Sequence, residues 1–202
     1  MAKLKSLENK VVWITGASSG LGKALARECA LQGAQVVLTS RRYDELESVR
    51  VGLLKPEQHL SIAADITDEA QVRHAHEQVL ATKGRIDWLI NNAGISQRSL
   101  IMETDEDVER QIMEIDYFAQ TRLTRLVLPD MVTQGGGKIV MVSSVAGLLG
   151  TQYRGAYGAA KAALHMWANS LRAEVSKDGV EVSVVFPGFV KTNVSFNALN
   201  GE

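Results

Sequence analysis

Tyr157 and Lys161 stand four residues apart in Tyr157-Gly158-Ala159-Ala160-Lys161, and Ser144 precedes the tyrosine by thirteen. Four residues is about one helical turn, so a phenol and an ammonium project from one face of a helix. A cation beside a phenol favours the phenolate and makes the hydroxyl a usable acid near neutral pH. A free phenol ionises near pH ~10, and moving that by ~3 units takes ~4 kcal/mol in favour of phenolate. A unit charge at ~4 Å in an effective dielectric of ~20 supplies about that much. A serine hydroxyl nearby can hydrogen-bond an oxygen on which charge develops. Together these groups can protonate a carbonyl oxygen. Alone, a tyrosine and lysine at this spacing more often form a surface pair with the lysine stem along the ring. The pairing gains force from a second motif.

That motif is Thr15-Gly16-Ala17-Ser18-Ser19-Gly20-Leu21-Gly22, which follows an apolar run and opens a helical pattern. Glycines let a backbone turn sharply and approach phosphate oxygens, and a helix N-terminus offers unpaired N–H groups and partial positive charge. Ser18 and Ser19 add hydroxyl donors. The expected contacts to a dinucleotide come from Gly16, Ser18, Ser19, Gly20, Leu21 and Gly22. The spacing is not that of a P-loop, because Ala24 follows Lys23 where Ser or Thr is required. It is not GxGxxG either, since Ala17 and Ser18 stand where the second glycine would be. A tight turn without a ligand would use the same glycines.

The end of the second apolar run reads Ser40-Arg41-Arg42. An acidic residue there would bind a ribose 2′-hydroxyl and favour NAD(H). Guanidinium groups instead suit a 2′-phosphate, so NADP(H) is expected over NAD(H). Two solvated arginines at a helix start are the bland alternative. Asp65, with Ile66, is expected beside the adenine, the alternative being a cap on the next helix. Asn91-Asn92-Ala93-Gly94 ends another apolar run, where small residues admit the ribose and Asn amides can pin neighbouring strands.

These groups require a scaffold. Val- and Ile-rich runs at 10–15, 35–39, 60–64, 87–91, 138–142 and 180–186 read as strands. Helical patterns occupy 20–31, 43–54, 68–82, 105–131 and 152–177. Thr67 is expected to cap the third helix, and Thr104 with Asp107 approaches a capping box for the fourth. Pro129 lies near the fourth helix's end. Near-continuous apolar strands alternating with helices predict an α/β fold, a single doubly wound parallel sheet of order 3-2-1-4-5-6 with helices on both faces. Without a linker or repeat, residues 1–202 read as one domain.

The bulk numbers narrow the function. Lys plus Arg number 22 against 23 Asp plus Glu, a net charge of −1, which gives no reason to expect nucleic acid or an anionic membrane as partner. No apolar run approaches the ~20 residues that span a bilayer. The first residues lack the apolar core of a signal peptide. Cys29 is the single cysteine, which precludes an intrachain disulfide, and His59, His74, His76 and His165 form no metal cluster. A cytoplasmic location is expected.

With these motifs on one chain, the sequence resembles the short-chain dehydrogenase/reductase family over about residues 10–197. The resemblance rests on the glycine loop, Asn91-Asn92-Ala93-Gly94, Ser144, Tyr157-x-x-x-Lys161, and Pro187-Gly188 with Thr192. It implies a Rossmann sheet and interconversion of carbonyl and alcohol groups with NAD(P)(H). By position, Tyr157 would be the proton donor and acceptor, Lys161 would bind the nicotinamide ribose and favour the phenolate, and Ser144 would orient the substrate oxygen. Asn92, Ala93 and Gly94 would flank the adenosine ribose. Val190 and Thr192 would meet the carboxamide, and Pro187 and Gly188 would belong to the cofactor-binding residues. Residues 186–198 are most similar to the membrane-associated dehydrogenase/reductase subgroup. The family's paired long helices imply a homo-oligomer, a dimer or tetramer.

Two departures stand out. The family's fourth catalytic position, usually Asn, is Asp116, and the family role there runs largely through the main-chain carbonyl. Asp is nearly isosteric with Asn, so activity is expected to survive, with an ionised Asp116 opposing tyrosine deprotonation. The family's last strand and substrate lid have no counterpart in the sequence, which reads as C-terminally short. The expected function is an NADP(H)-dependent carbonyl reductase or alcohol dehydrogenase acting on a small molecule. The alternative is a non-catalytic dinucleotide-binding module, a redox sensor or assembly partner.

Overall fold

Side chains of successive strand residues point to opposite faces, and here both faces are apolar. In the computed structural model, which describes residues 7–190, 198 and 199, all five residues of β1 (Val11–Thr15) are buried. Val11 and Trp13 join the core on one face of the sheet, and Val12 and Ile14 join that on the other. β2 (Gln35–Ser40), β3 (Leu60–Ala63), β4 (Trp88–Asn91), β5 (Gly137–Val142) and β6 (Val180–Val185) complete a six-stranded sheet of order β3-β2-β1-β4-β5-β6. Every pairing is parallel. All strand ends that carry site motifs therefore open on one edge.

α1 (Gly20–Leu31) and α2 (Tyr43–Val51) cover one face. α3 (Glu69–Lys83), α5 (Ala119–Thr133) and α6 (Gly155–Glu174) cover the other. α4 (Glu106–Met113) leads into α5 through one wide turn, Glu114–Phe118, with π-type hydrogen bonding. The long helix expected over 105–131 is thus present as one uninterrupted run, Glu106–Thr133, with one extra residue accommodated in its middle around Asp116. The helix also continues past Pro129 to Thr133. Pro129 is exposed, so the carbonyl it leaves unpaired is open to water.

Other boundaries also moved. The second helix stops at Val51, short of the expected residue 54, and a short 3₁₀ turn, Pro56–Gln58, follows further on. Asp68, not Thr67, caps α3, accepting from the N–H groups of Ala70 and Gln71. Thr104 forms no capping box. Its hydroxyl donates to Leu100 O at 2.8 Å and lies 2.6 Å from Ser99 Oγ.

Two buried polar groups hold the sheet's N-terminal side. Asp87 accepts from Val11 N and pairs with Lys10 and Arg85. Burial works against its charge, yet these partners hold the carboxyl below its ordinary range. His59 is buried, with Nδ1 accepting from Val36 N at 3.0 Å and Nε2 lying 2.8 Å from Leu54 O. That pattern fixes the neutral tautomer with its proton on Nε2. Cys29 is packed under α1, and burial pushes its thiol up to about 11, which leaves it unreactive.

Burial pushes the His59 imidazole below its ordinary range, against the opposing bond to Leu54 O. The unfolded chain then binds the proton more readily, so this stability is present above the unfolded value of ~6.5 and is lost as pH falls towards the folded one. Melting temperatures measured from pH ~8 to ~5 should fall more steeply in the parent than in His59→Asn. Parallel curves would show that His59 carries no linked proton.

Candidate active site

Gly22 brings α1 onto the end of β1. A β-carbon there would come within 2.2 Å of Gly16 O, and Gly16 itself has φ +65. Asn92 locks this turn from the neighbouring strand, its Nδ2 donating to Thr15 O at 2.9 Å and Gly16 O at 3.2 Å. Asn92 N and Ala93 N both reach Thr15 Oγ1. Asn91 works deeper, donating to Thr124 Oγ1 at 2.9 Å. Asn92 and Ala93 therefore hold the loop, and Gly94 lies against the Asp116 carboxylate. The first turn of α1 has no acidic residue, and Ser19 makes no side-chain cap. Ser18 is half-buried, Ser19 and Gly20 are exposed, and Leu21 packs partly on the core. A close-packed turn with a bare helix N-terminus fits a bound anion such as a dinucleotide pyrophosphate.

The adenosine side is less uniform. Ser40 Oγ is buried and has no hydrogen-bond partner among the described residues. Arg42 is held by Glu45, with Nε to Oε1 at 2.6 Å and Nη2 to Oε2 at 2.7 Å. Arg41 is exposed and has no ion pair among the described residues. Asp65 Oδ1 accepts from Thr67 N and Thr67 Oγ1, a local turn rather than a helix cap. Ile66 is buried beneath it. Pro187 anchors the end of β6, its carbonyl accepting from Val145 N at 3.2 Å. Gly188 and Val190 follow on the surface, while Thr192 lies outside the described residues.

The candidate proton-transfer residues are brought near one another through small residues. Gly158 has no room for a β-carbon, because Ala146 O lies 2.9 Å from its position. That contact seats the turn after Ser144 against the turn of α6 that carries Tyr157. Ser144 Oγ accepts from Ala146 N at 3.2 Å. Its neighbour Ser143 points inward and donates to Lys161 O, a structural bond. Lys161 Nζ lies 5.8 Å from the centre of the Tyr157 ring. It also donates to Val142 O at 3.1 Å and lies 3.2 Å from Asp116 Oδ2.

Lys161 and Asp116 side chains are 5% and 0% exposed, so this is a buried ion pair. Asp116 Oδ1 accepts from Ile95 N at 2.8 Å, while Oδ2 has only the lysine charge as partner. Burial pushes the Asp116 carboxyl above its ordinary range, with the Lys161 ammonium and the Ile95 N–H pulling the other way. The wide turn Glu114–Phe118 is what aims this carboxylate inward. Sequence reasoning stressed the main-chain carbonyl at this position; here the side chain itself meets the lysine.

One residue escaped the sequence reading. Arg154 lies three before Tyr157, and its guanidinium carbon is 5.8 Å from the ring centre. Its Nη1 donates to Ser96 Oγ and to Gln97 O. It is the last residue before α6, and its closeness to Tyr157 in sequence is the one signal that could have found it.

A family described as short chain dehydrogenase matches residues 10–201 of this sequence. The chain belongs to the short-chain dehydrogenase family. Within it, the chain is 43% identical to "Dehydrogenase/reductase SDR family protein 7-like" of Anopheles gambiae, over 98% of this chain and 64% of that protein. It is 42% identical to the Homo sapiens "Dehydrogenase/reductase SDR family member 7", over 97% of this chain and 60% of that protein. The chain thus spans somewhat under two thirds of these relatives. A crystal structure of a short-chain dehydrogenase from Streptomyces avermitilis superposes with a TM-score of 0.87 at 36% identity, covering 95% of this chain and 69% of that one. The family works with a nicotinamide dinucleotide, which accords with the glycine loop and its uncapped helix. No helix among the described residues is long and apolar enough to cross a membrane.

Because burial raises the folded-state value of Asp116, its contribution is fully present below the unfolded value and is lost as pH rises through the folded one. Asn at this position does not titrate. The melting temperature of Asp116→Asn minus that of the parent should therefore grow as pH rises from ~4, each kcal/mol reading as about 2–4 °C. A difference that is flat or shrinks over this range would show that Asp116 is not a strained carboxylate.

Proposed function

We propose that this protein is an NADP(H)-dependent oxidoreductase that interconverts a carbonyl and an alcohol on a small molecule. The observation that carries this reading is the buried Lys161 ammonium beside Tyr157, at the sheet edge that also bears the glycine loop. When bound, the cofactor supplies or accepts the hydride. Tyr157 gives its hydroxyl proton to the carbonyl oxygen in reduction and takes it back in oxidation. Lys161 favours the phenolate that this leaves. Ser144 donates to the substrate oxygen as its charge grows. Asp116 and Val142 O hold the ammonium in place, so that it does not turn to solvent.

The preference for NADP(H) rests on Arg41. Arg42 is already engaged by Glu45, whereas Arg41 is free to meet a 2′-phosphate. We read residues 1–202 as one catalytic domain, working as a homo-oligomer in the cytoplasm, which light scattering and cell fractionation check. The exposed Phe118 and Met166 support association through the long helices.

Tyr157→Phe should lower kcat in a screen of ketones and alcohols by ~10³-fold or more while leaving cofactor binding intact. Parent protein that binds cofactor but turns over nothing would favour the non-catalytic module. Separately, Arg41→Ala should weaken NADPH binding by ~10-fold or more and leave NADH nearly unchanged. Arg42→Ala should do less. Equal loss of both cofactors in Arg41→Ala would refute the assignment.

A further inference from the structure

Tyr157 has a cation on each side of it in sequence, Lys161 on α6 and Arg154 at the residue just before that helix begins. Arg154 precedes it by three residues and Lys161 follows by four, and each charge lies 5.8 Å from the ring centre. The two are not equivalent. The Lys161 charge is matched at 3.2 Å by the buried Asp116 carboxylate. An opposite charge that close reduces the field reaching the phenol, because the pair acts on it more as a dipole than as a point charge.

Arg154 has no carboxylate partner among the described residues. Its anchors are neutral, the Ser96 hydroxyl and the Gln97 carbonyl. These anchors are themselves fixed. Gln97 is fully buried, and its Nε2 donates to Ser99 O at 3.1 Å, Ser99 Oγ at 2.9 Å and Thr104 Oγ1 at 2.9 Å. This knot is what takes Thr104 away from capping α4. It positions a guanidinium whose charge is undiminished.

Other charges packed around α6 face elsewhere. Glu109 of α4 lines a cavity with Gly155, Ala156 and Ala159 on another side of the helix. Lys138 of β5 and Glu181 of β6 pair with each other at 2.8 Å, at the strands' N-terminal ends. The turn Val145–Gly147 carries no charged side chain.

We propose that Arg154 is a positioning residue of the proton-transfer site, whose uncompensated charge, held over the Tyr157 ring by Ser96 and Gln97, favours the phenolate in place of the share of Lys161 that Asp116 takes up. This rests on Tyr157 being the proton donor and acceptor. It explains how the site tolerates a carboxylate where the family usually has an amide. A guanidinium suits the task because it stays protonated throughout the working range and lies flat against an aromatic face.

The test is a spectroscopic titration of Tyr157 in the full chain. Phenolate absorbance is followed as pH rises, and the curve of a matched Tyr157→Phe protein is subtracted. Arg154→Gln keeps a hydrogen-bond donor for Ser96 and Gln97 but removes the charge, and it should raise the titration midpoint by on the order of one pH unit. Arg154→Lys keeps the charge and should stay close to the parent. Ser96→Ala frees the guanidinium and should produce a smaller rise. An unmoved midpoint in Arg154→Gln, or an equal shift in Arg154→Lys, overturns the proposal. Should Arg154→Gln fail to fold, an unmoved midpoint in Ser96→Ala overturns it instead, and a rise there supports it. The readout does not depend on turnover. If Tyr157→Phe retains activity while the midpoint still follows Arg154, the catalytic reading fails and the electrostatic one stands.

Discussion

Removing an ammonium from water costs several kcal/mol, and this protein removes that of Lys161 almost completely. Much of the surrounding architecture meets that cost. Asp116 supplies the opposite charge and Val142 O the hydrogen bond. Asp116 in turn needs the Ile95 N–H on its other oxygen. The wide turn between α4 and α5 is the local distortion that aims it. A straight α-helix would present residue 116 at a different angle and leave the lysine unmatched. Widened turns of this kind occur frequently at functional sites, and here the reason is electrostatic.

The same pair has a chemical consequence. A lysine that is fully paired is well fixed but less effective as a source of positive potential. Fixing the charge and using the charge are therefore partly opposed requirements. Two cations flank Tyr157 here, Lys161 on α6, buried and paired, and Arg154 just before that helix, held by neutral acceptors. They lie at matching distances from its ring.

Parallel pairing sets where all this happens. Because every strand runs the same way, β1 delivers the glycine turn, β4 delivers Asn91 to Gly94, and β5 delivers Ser144 to one edge. Close approach there depends on missing side-chain atoms. Gly22 lets α1 touch the loop, and Gly158 lets the turn after Ser144 sit on α6. Polar side chains then fasten strand to strand, as Asn92 does across to Thr15 and Gly16. The glycine loop and the turn of α6 that carries Tyr157 are thereby fastened to the same sheet edge.

The sheet order, the glycine loop and the Tyr157–Lys161 pair were legible from residues alone, because strand period, glycine spacing and helical spacing are local quantities. The widened turn inside the long helix was not. A turn widened by a single residue leaves almost no mark on an apolar pattern. The partners of Asp116 and Arg154 were also hidden. Lys161 meets a carboxylate 45 positions upstream, and Arg154 finds Ser96 at a separation of 58. Likewise, Thr104 beside Asp107 looked like a cap, and only folding showed that Gln97 claims it. A chain's own spacing determines which groups share a helix face or a turn. Which charges meet, as Lys161 meets Asp116, depends on distant segments brought within a few ångströms, and that was decided by the tertiary structure.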